Sequence, residues 1–442
     1  MHKNFLAKAE RITHDGAAEM MYEGRPARIH GMLPGEEGIV EVNKKHRIYA
    51  GTLKELTHAS QSRKNPEELH YLSCSPWQVM EYPLQVELKH GFLRELFGYY
   101  QDAPNVSFVP AEQFYGYRTK IEFSFTDRLP AATSAAQAGD GEYPAPLSLA
   151  FHVRGGGALR VTLPNGCALA SEGMNRVALA ITERLRALNY TARDLKTLVV
   201  RESKSTGKLL AILYAKKEDI TEFSVTDIPG LSGFLVFYST EKSPASVATR
   251  ELWRWGEDSL VERILGMDIG YSWDSFFQNN IPVFETAMLC MKKAAPEGRN
   301  VLELYSGVGT IGLLLAKSTE HVHGVEIGEG AVSSAKENAI RAGIKNYVAE
   351  CIPAEKIDVR LLDKKDVLVL DPPRVGLHPK VIAMIKEKLP PTIIYLSCNP
   401  ETQARDYSQL SALYKIDTLT GFDFYPQTPH LESLLVLSLR HK

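Results

Sequence analysis

Hydrophobic and polar positions divide the chain into three stretches of different period. From about Lys8 to Ser60, short alternating runs (Ala27 to His30, Gly38 to Val42, Arg47 to Leu53) are separated by the polar turns HDG, LPGEE and NKKH. Alternation over so few residues, broken by Gly, Pro and Asn, predicts a small β-barrel within residues 1–60. Between about Gln61 and Gly270 the strand-like runs TKIEFSF, TLVVRES, LLAILYA and FLVFYS alternate with helical pieces at Glu81 to Tyr99 and Gly173 to Leu188. That is an α+β pattern for residues 61–270. Leu129 to Ser148, rich in Ala, Gly, Pro and Ser and without periodicity, reads as a mobile insertion.

Residues 271–442 have a third rhythm. NVLELYSG, HVHGVEI, DVLVLDPP and TIIYLSC are short apolar runs separated by helices ending near Lys317, spanning Ala331 to Ala342 up to Gly343, and spanning Pro379 to Lys388. Such a βαβ series predicts a parallel sheet whose right-handed crossovers align every strand's carboxyl end along one edge. Tyr305, Glu326, Asp371 and Cys398 all fall at those ends, where open α/β folds hold ligands.

Composition narrows the class. A chain of 442 residues, 44% apolar and 24% charged, has material for two or three globular domains, and no apolar run reaches the ~20 residues that cross a bilayer. The polar start MHKNFLAKAERITHDG is no signal peptide, and five scattered cysteines form no disulfide framework, which suits a reducing cytoplasm. A net charge of -2 gives no global attraction to a polyanion, so a nucleic-acid partner would need basic residues gathered on one face.

Gly307, Gly309 and Gly312 are spaced G-x-G-x-x-G directly after a strand, with Glu326 about 20 residues on to accept ribose hydroxyls. This loop fits a nicotinamide dehydrogenase as well as an S-adenosylmethionine-dependent methyltransferase. DPPR (Asp371 to Arg374) and SCNP (Ser397 to Pro400) favour the second, because hydride transfer needs no cysteine nucleophile. Arg374 and Arg405 can pair with phosphate or with buried carboxylates.

The motifs HDG, LPGE, YRTKIEFSF, SFFQNN, ELYSGVGTIGL, HGVEI with SAKENA, DPPRVGL, YLSCNPETQARD and FDFYPQTPHLE follow one another along nearly the whole chain. In that order the chain resembles the RNA 5-methyluridine (uracil-5) methyltransferases, class I enzymes using S-adenosylmethionine. The resemblance implies an α/β fold: a C-terminal Rossmann-like methyltransferase sheet, a middle α+β domain and an N-terminal TRAM/OB-like barrel. It further implies Cys398 as nucleophile, Glu432 as base with His430 as rival, and Gln278, Tyr305, Gly307, Glu326 and Asp371 around the methyl donor. The substrate would be RNA, ribosomal favoured over transfer, and the enzyme a cytoplasmic monomer without membrane contact. Cytosine-5 methylation, or an inactive RNA-binding protein on the same fold, are the alternatives. Lys44, Lys45, Arg47, Arg118, Lys120 and Lys204, with Tyr115 and Tyr117, are candidates for phosphate and base contact.

The chain also departs from the pattern. Relatives with three cysteines before a W-Q-x-x-x-Y segment and a fourth downstream hold a [4Fe-4S] cluster, which needs four thiolates. Here Trp77, Gln78, Tyr82 and Gln85 are kept, but the cysteine positions align with about Glu67, Leu72 and Ser75. Cys74 is displaced by one and only Cys167 matches, so neither an iron-sulfur cluster nor another metal is expected. Pro353 in CIPAE stands where relatives place an acidic residue against adenine, leaving backbone groups for that task.

Overall fold

Side-chain alternation sorts the apolar runs of the last third between two covered faces. Val301, Val367, Val369, Ile394 and Leu396 join one core; Leu302, Leu304, Leu368, Leu370, Ile393 and Tyr395 join another on the opposite face. Cover on both faces is why Val367–Leu370 is apolar and buried at all four positions. In this computed structural model, which describes residues 3–45, 47–100, 105–130, 142–154, 159–240, 242–244 and 246–440, these runs build an eight-stranded sheet. Its order is Tyr347–Cys351, His321–Glu326, Asn300–Leu304, Val367–Leu370, Thr392–Ser397, Glu432–Leu439, Tyr414–Phe422, Ser107–Val109. The first five strands are parallel. Strand order reverses between Asn300–Leu304 and Val367–Leu370, the switch point where such sheets bind ligands.

The apolar pattern did not separate the last two strands. Glu432–Leu439 runs antiparallel to both Thr392–Ser397 and Tyr414–Phe422, with Ser397 opposite Ser433. The first residue of this strand, Glu432, therefore arrives at the edge where the parallel strands end. Helix Glu329–Arg341 closes in a Schellman motif: Gly343, at φ +66°, donates its N–H to Ile340 O, and Ile344 N–H donates to Ala339 O.

The central stretch forms a seven-stranded sheet in the order Arg160–Thr162, Glu142–His152, Lys120–Pro130, Leu195–Glu202, Leu209–Ala215, Leu231–Tyr238, Arg250–Gly256. Helix Glu172–Ala187 covers one face. Ser171 caps it by accepting Met174 N–H at 3.1 Å, and Met174, Val177, Ala178, Ile181 and Leu185 form its buried stripe. The stretch Leu129 to Ser148, expected to be a mobile insertion, is strand at both ends: Leu129 pairs with Tyr143, Pro130 with Glu142 and Thr126 with Ser148, so only 131–141, which lies outside the described residues, is left of it.

Two pieces of sequence leave the central body. Ser107–Val109 pairs with Tyr414–Phe422, and helix Tyr82–Phe97 sends Phe92, Leu93 and Phe97 into the second core of the C-terminal sheet. The hairpin Ser259–Ile264 and Met267–Ser272 likewise packs Leu260, Ile264, Ile269 and Tyr271 against the first core. At the N-terminus six strands pair in the order Lys3–Lys8, Glu37–Lys45, Ile48–His58, Arg25–His30, Ala18–Tyr22, Arg11–Ile12 around their own small core. No helix among the described residues is long and apolar enough to cross a membrane.

Candidate active site

Tyr305, Gly307 and Gly309 follow strand Asn300–Leu304 with φ of +65°, +53° and +82°. Left-handed backbone costs a non-glycine residue on the order of 1 kcal/mol and gathers at functional sites. The turn it produces leads into helix Thr310–Ala316. A side chain at Gly312 would meet Glu303 Oε2 at 2.2 Å, so the third glycine is required for helix–strand contact. Glu303 itself is buried beneath the loop, and burial pushes its carboxyl up to about 8.

A narrow pocket opens over this turn, lined by Phe276, Phe277, Gln278, Tyr305, Gly307 and Asp371 among others. Four of the five residues expected around the donor are thus together. Glu326 stands behind them, accepting Gly307 N–H at 3.0 Å and Gly328 N–H at 2.9 Å. Gln278 is 6% exposed and its Oε1 has no hydrogen-bond partner among the described residues. A buried unsatisfied acceptor costs ~1–3 kcal/mol, so this pocket fits a polar ligand.

Asp371 ends strand Val367–Leu370 and joins this pocket to the next group of residues. Cys398 follows strand Thr392–Ser397 and lies half-buried in a second cleft lined by His14, Asp15, Phe92, Arg154, Arg374, Asn399, Glu401 and His430. Glu432 is 3% exposed and adjoins it across the Ser397–Ser433 pair. Burial, then the neighbouring Asp371, raises the Glu432 carboxyl above the usual range, while Tyr425 Oη donates to it at 3.4 Å. Burial raises Asp371 as well, tempered by the residue's opening to the pocket.

Burial and then the Glu432 and Asp371 charges push the Cys398 thiol up to about 11, with Arg374 opposing them. His430, pushed down to about 4 by burial and then Arg374, is a neutral imidazole whose Nδ1 lies 3.4 Å from the Arg374 guanidinium. Arg405, itself exposed, pairs with buried Asp406 at 2.7 Å, and Arg374 is exposed at the cleft mouth.

Several contributors were invisible in the sequence. The loop before Glu432 is held from below by helix Tyr82–Phe97: Gln85 exchanges two 2.9 Å hydrogen bonds with Gln427, and buried Lys89 bonds Asp423 at 2.6 Å and Tyr425 O at 3.1 Å. The HDG turn of the N-terminal sheet also docks here. His14 Nδ1 lies 2.9 Å from Glu401, and a side chain at Gly16 would meet Pro429 at 2.8 Å. These pairings join residues hundreds of positions apart, with no local signal except the retained W-Q-x-x-x-Y segment.

The candidate RNA contacts divide. Lys44 and Arg47 are exposed, but Tyr117 is buried with its hydroxyl donating to Pro426 O at 3.2 Å, and Lys204 is tied to Gly116 O and Glu202. Tyr117 is therefore packing rather than a stacking platform, because its ring completes the core beneath the central sheet. Apart from this edge, Cys74 and Cys167 are brought together with Glu68 and His70, an association that the one-residue displacement of Cys74 had argued against.

A family model described as tRNA (Uracil-5-)-methyltransferase matches residues 261–440. The tRNA (uracil(54)-C(5))-methyltransferase of Pyrococcus abyssi is 29% identical over 411 residues, covering 90% of this chain and 92% of its own. An uncharacterised RNA methyltransferase of Caldanaerobacter subterraneus is 29% identical over 449 residues, 96% of each chain. A crystal structure of Pyrococcus abyssi tRNA (uracil-54, C5)-methyltransferase in complex with S-adenosyl-L-homocysteine shares the fold, with a TM-score of 0.79 at 24% identity over 98% of this chain and 100% of that one. Residues 261–440 thus match the tRNA (uracil-5-)-methyltransferase family model, and nearly the whole chain is similar to RNA methyltransferases, a tRNA (uracil(54)-C(5))-methyltransferase among them.

Proposed function

We propose that the protein methylates carbon 5 of a uridine in RNA through a covalent adduct at Cys398. The observation that carries the reading is a half-buried thiol, Cys398, beside a buried carboxyl, Glu432, across the Ser397–Ser433 pair and next to a pocket that ends at Asp371. Carbon 5 of uracil is a weak nucleophile. Addition of the Cys398 sulfur to carbon 6 forms a C–S bond and moves the electron pair onto carbon 5. S-adenosylmethionine, which Gln278, Tyr305, Gly307, Glu326 and Asp371 would hold, would supply the electrophilic methyl group that carbon 5 takes, leaving as S-adenosylhomocysteine. Glu432, as the carboxylate, then takes the carbon 5 proton, and the released pair expels the Cys398 sulfur. A neutral Asp371 removes one of the charges that oppose a thiolate at Cys398, and Arg374 favours it.

The uridine must leave its stack to reach Cys398. The N-terminal sheet acts in this reading as a TRAM-type RNA-binding module, and the chain as a cytoplasmic monomer. The Pyrococcus relative is named for uracil 54 of tRNA, which sets transfer RNA against ribosomal RNA, the class the N-terminal module favours. Mapping 5-methyluridine in both RNA classes from cells with and without the protein tests the reading. One or more sites lost with the protein and restored by it, but not by a Cys398→Ala variant, is the expected result. Unchanged maps, or loss of 5-methylcytidine instead, overturn it.

A further inference from the structure

Glu68, His70, Cys74 and Cys167 take no part in the reaction above, yet one ligand atom from each lies within 4.8 Å of all the others. Cys167 is 1% and His70 9% exposed. His70 Nε2 stands 3.0 Å from Glu68 Oε1, and among the described residues no acceptor lies in line with its N–H. Two groups side by side, neither aimed at the other, have the arrangement of ligands that share a cation. We propose that these four residues bind a single zinc-class divalent ion.

Donor chemistry and dimensions support this. Two thiolates, an imidazole and a carboxylate suit zinc rather than magnesium or calcium, which prefer oxygen alone. Zinc bonds of ~2.0–2.3 Å set tetrahedral ligand atoms ~3.3–3.8 Å apart, so the four groups need only a small contraction. A [4Fe-4S] cluster does not fit, because each of its four irons takes its own thiolate and only two are here.

The surroundings orient the ligands as outer partners do in metal sites. Glu68 Oε1 accepts Ala168 N–H at 2.6 Å and Oε2 accepts Gln78 Nε2 at 3.0 Å. Gln78 Nε2 also bonds Ser75 Oγ at 2.6 Å, and that hydroxyl is 3.0 Å from Cys74 Sγ. Four protein ligands close the site, so the ion is structural. It staples the helical turn Tyr71–Cys74 to the loop bearing Cys167. The next residues reach the catalytic loop, where Trp77 N–H donates to Gln427 O at 3.1 Å.

Elemental analysis of the full chain, purified without added metal and assayed for acid-labile sulfide, tests the proposal independently of methyl transfer. One zinc per chain and no sulfide is expected; absence of stoichiometric metal, iron with sulfide, or a Cys74–Cys167 disulfide overturns it. Cys74→Ser and Cys167→Ser should each lose the ion, and a full equivalent retained in either assigns the ion elsewhere and overturns the site. If those variants fail to fold, wild-type protein exchanged with Co2+ should show thiolate-to-cobalt charge-transfer absorption in the near ultraviolet. Cobalt binding without that band also overturns it.

Discussion

The two halves of the catalytic edge are built in different ways. The donor pocket comes mainly from one strand–turn–helix unit, Asn300 to Ala316, with Asp371 from the neighbouring strand and the Phe276–Gln278 loop as its far wall. Its polar features are backbone groups and a few unpartnered atoms. The acceptor cleft draws His14 from the N-terminal sheet, Arg154 from the central body, and Arg374, Cys398 and His430 from three loops of the C-terminal sheet. Locally built pockets survive changes elsewhere, whereas a cleft assembled from three bodies responds to every docking contact. Donor binding and RNA chemistry should therefore be separable by mutation.

Removing the thiol gives the largest separation. Cys398→Ala should lower methyl transfer by ~10,000-fold or more, as loss of a covalent nucleophile does, while S-adenosylhomocysteine binds with near-normal affinity by calorimetry. RNA containing 5-fluorouridine should trap wild-type protein through Cys398, since fluorine cannot be removed as a proton. A Cys398→Ala protein that still methylates would end the nucleophile assignment.

Glu432→Gln should slow product release by ~100 to 10,000-fold and accumulate methylated RNA joined to Cys398, visible on denaturing gels and by mass. The Glu432 carboxyl is pushed up to about 8, so its proton-accepting form grows as pH rises through that value. Wild-type turnover should climb over this window. The variant should lose that limb and keep only the rise towards higher pH that comes from the Cys398 thiol near 11. Because Glu432 and Asp371 influence one another, the inflection belongs to the pair. Adduct accumulating in His430→Ala instead would move the base to His430.

The same division governs what could be read from the sequence. Glycine spacing, strand ends and the Cys398 segment are local, and the parallel strands followed from them, whereas the donor roles of Gln278, Tyr305, Glu326 and Asp371 rested on family resemblance. The antiparallel return that carries Glu432 to the edge is set by pairing between distant strands, so only family resemblance pointed to it. Cys74 shows a different limit: its one-residue displacement says nothing of where the side chain lies, and the turn at Tyr71–Cys74 sets its sulfur within 4.8 Å of ligand atoms of Cys167, Glu68 and His70. Tyr117 was misjudged because a Tyr just before Arg118 and Lys120 resembles a stacking platform, and only packing reveals its burial.

On the donor side, Glu326→Gln replaces a charged acceptor with a neutral amide that retains one carbonyl for Gly307 or Gly328. Charge-assisted hydrogen bonds contribute ~1.5–3 kcal/mol, so donor affinity should fall ~10- to 150-fold. At saturating donor the rate of adduct formation with RNA should remain within a few-fold of wild type. Equal losses in both would mean that the halves are not separable.

The smallest effect tests the docking of the N-terminal sheet. His14 is 28% and Glu401 60% exposed, so their contact belongs with surface ion pairs, which contribute ~0.2–1 kcal/mol. His14→Ala should thus raise the apparent KM for RNA by only ~1.4- to 5-fold, because it loosens the HDG turn over a cleft whose other walls remain. Donor affinity measured by calorimetry should not change, since no residue of the N-terminal sheet lines the donor pocket. A KM effect confined to RNA would place the acceptor cleft's sensitivity in its inter-body contacts, whereas a matching loss of donor affinity would show that the N-terminal sheet acts through the whole edge.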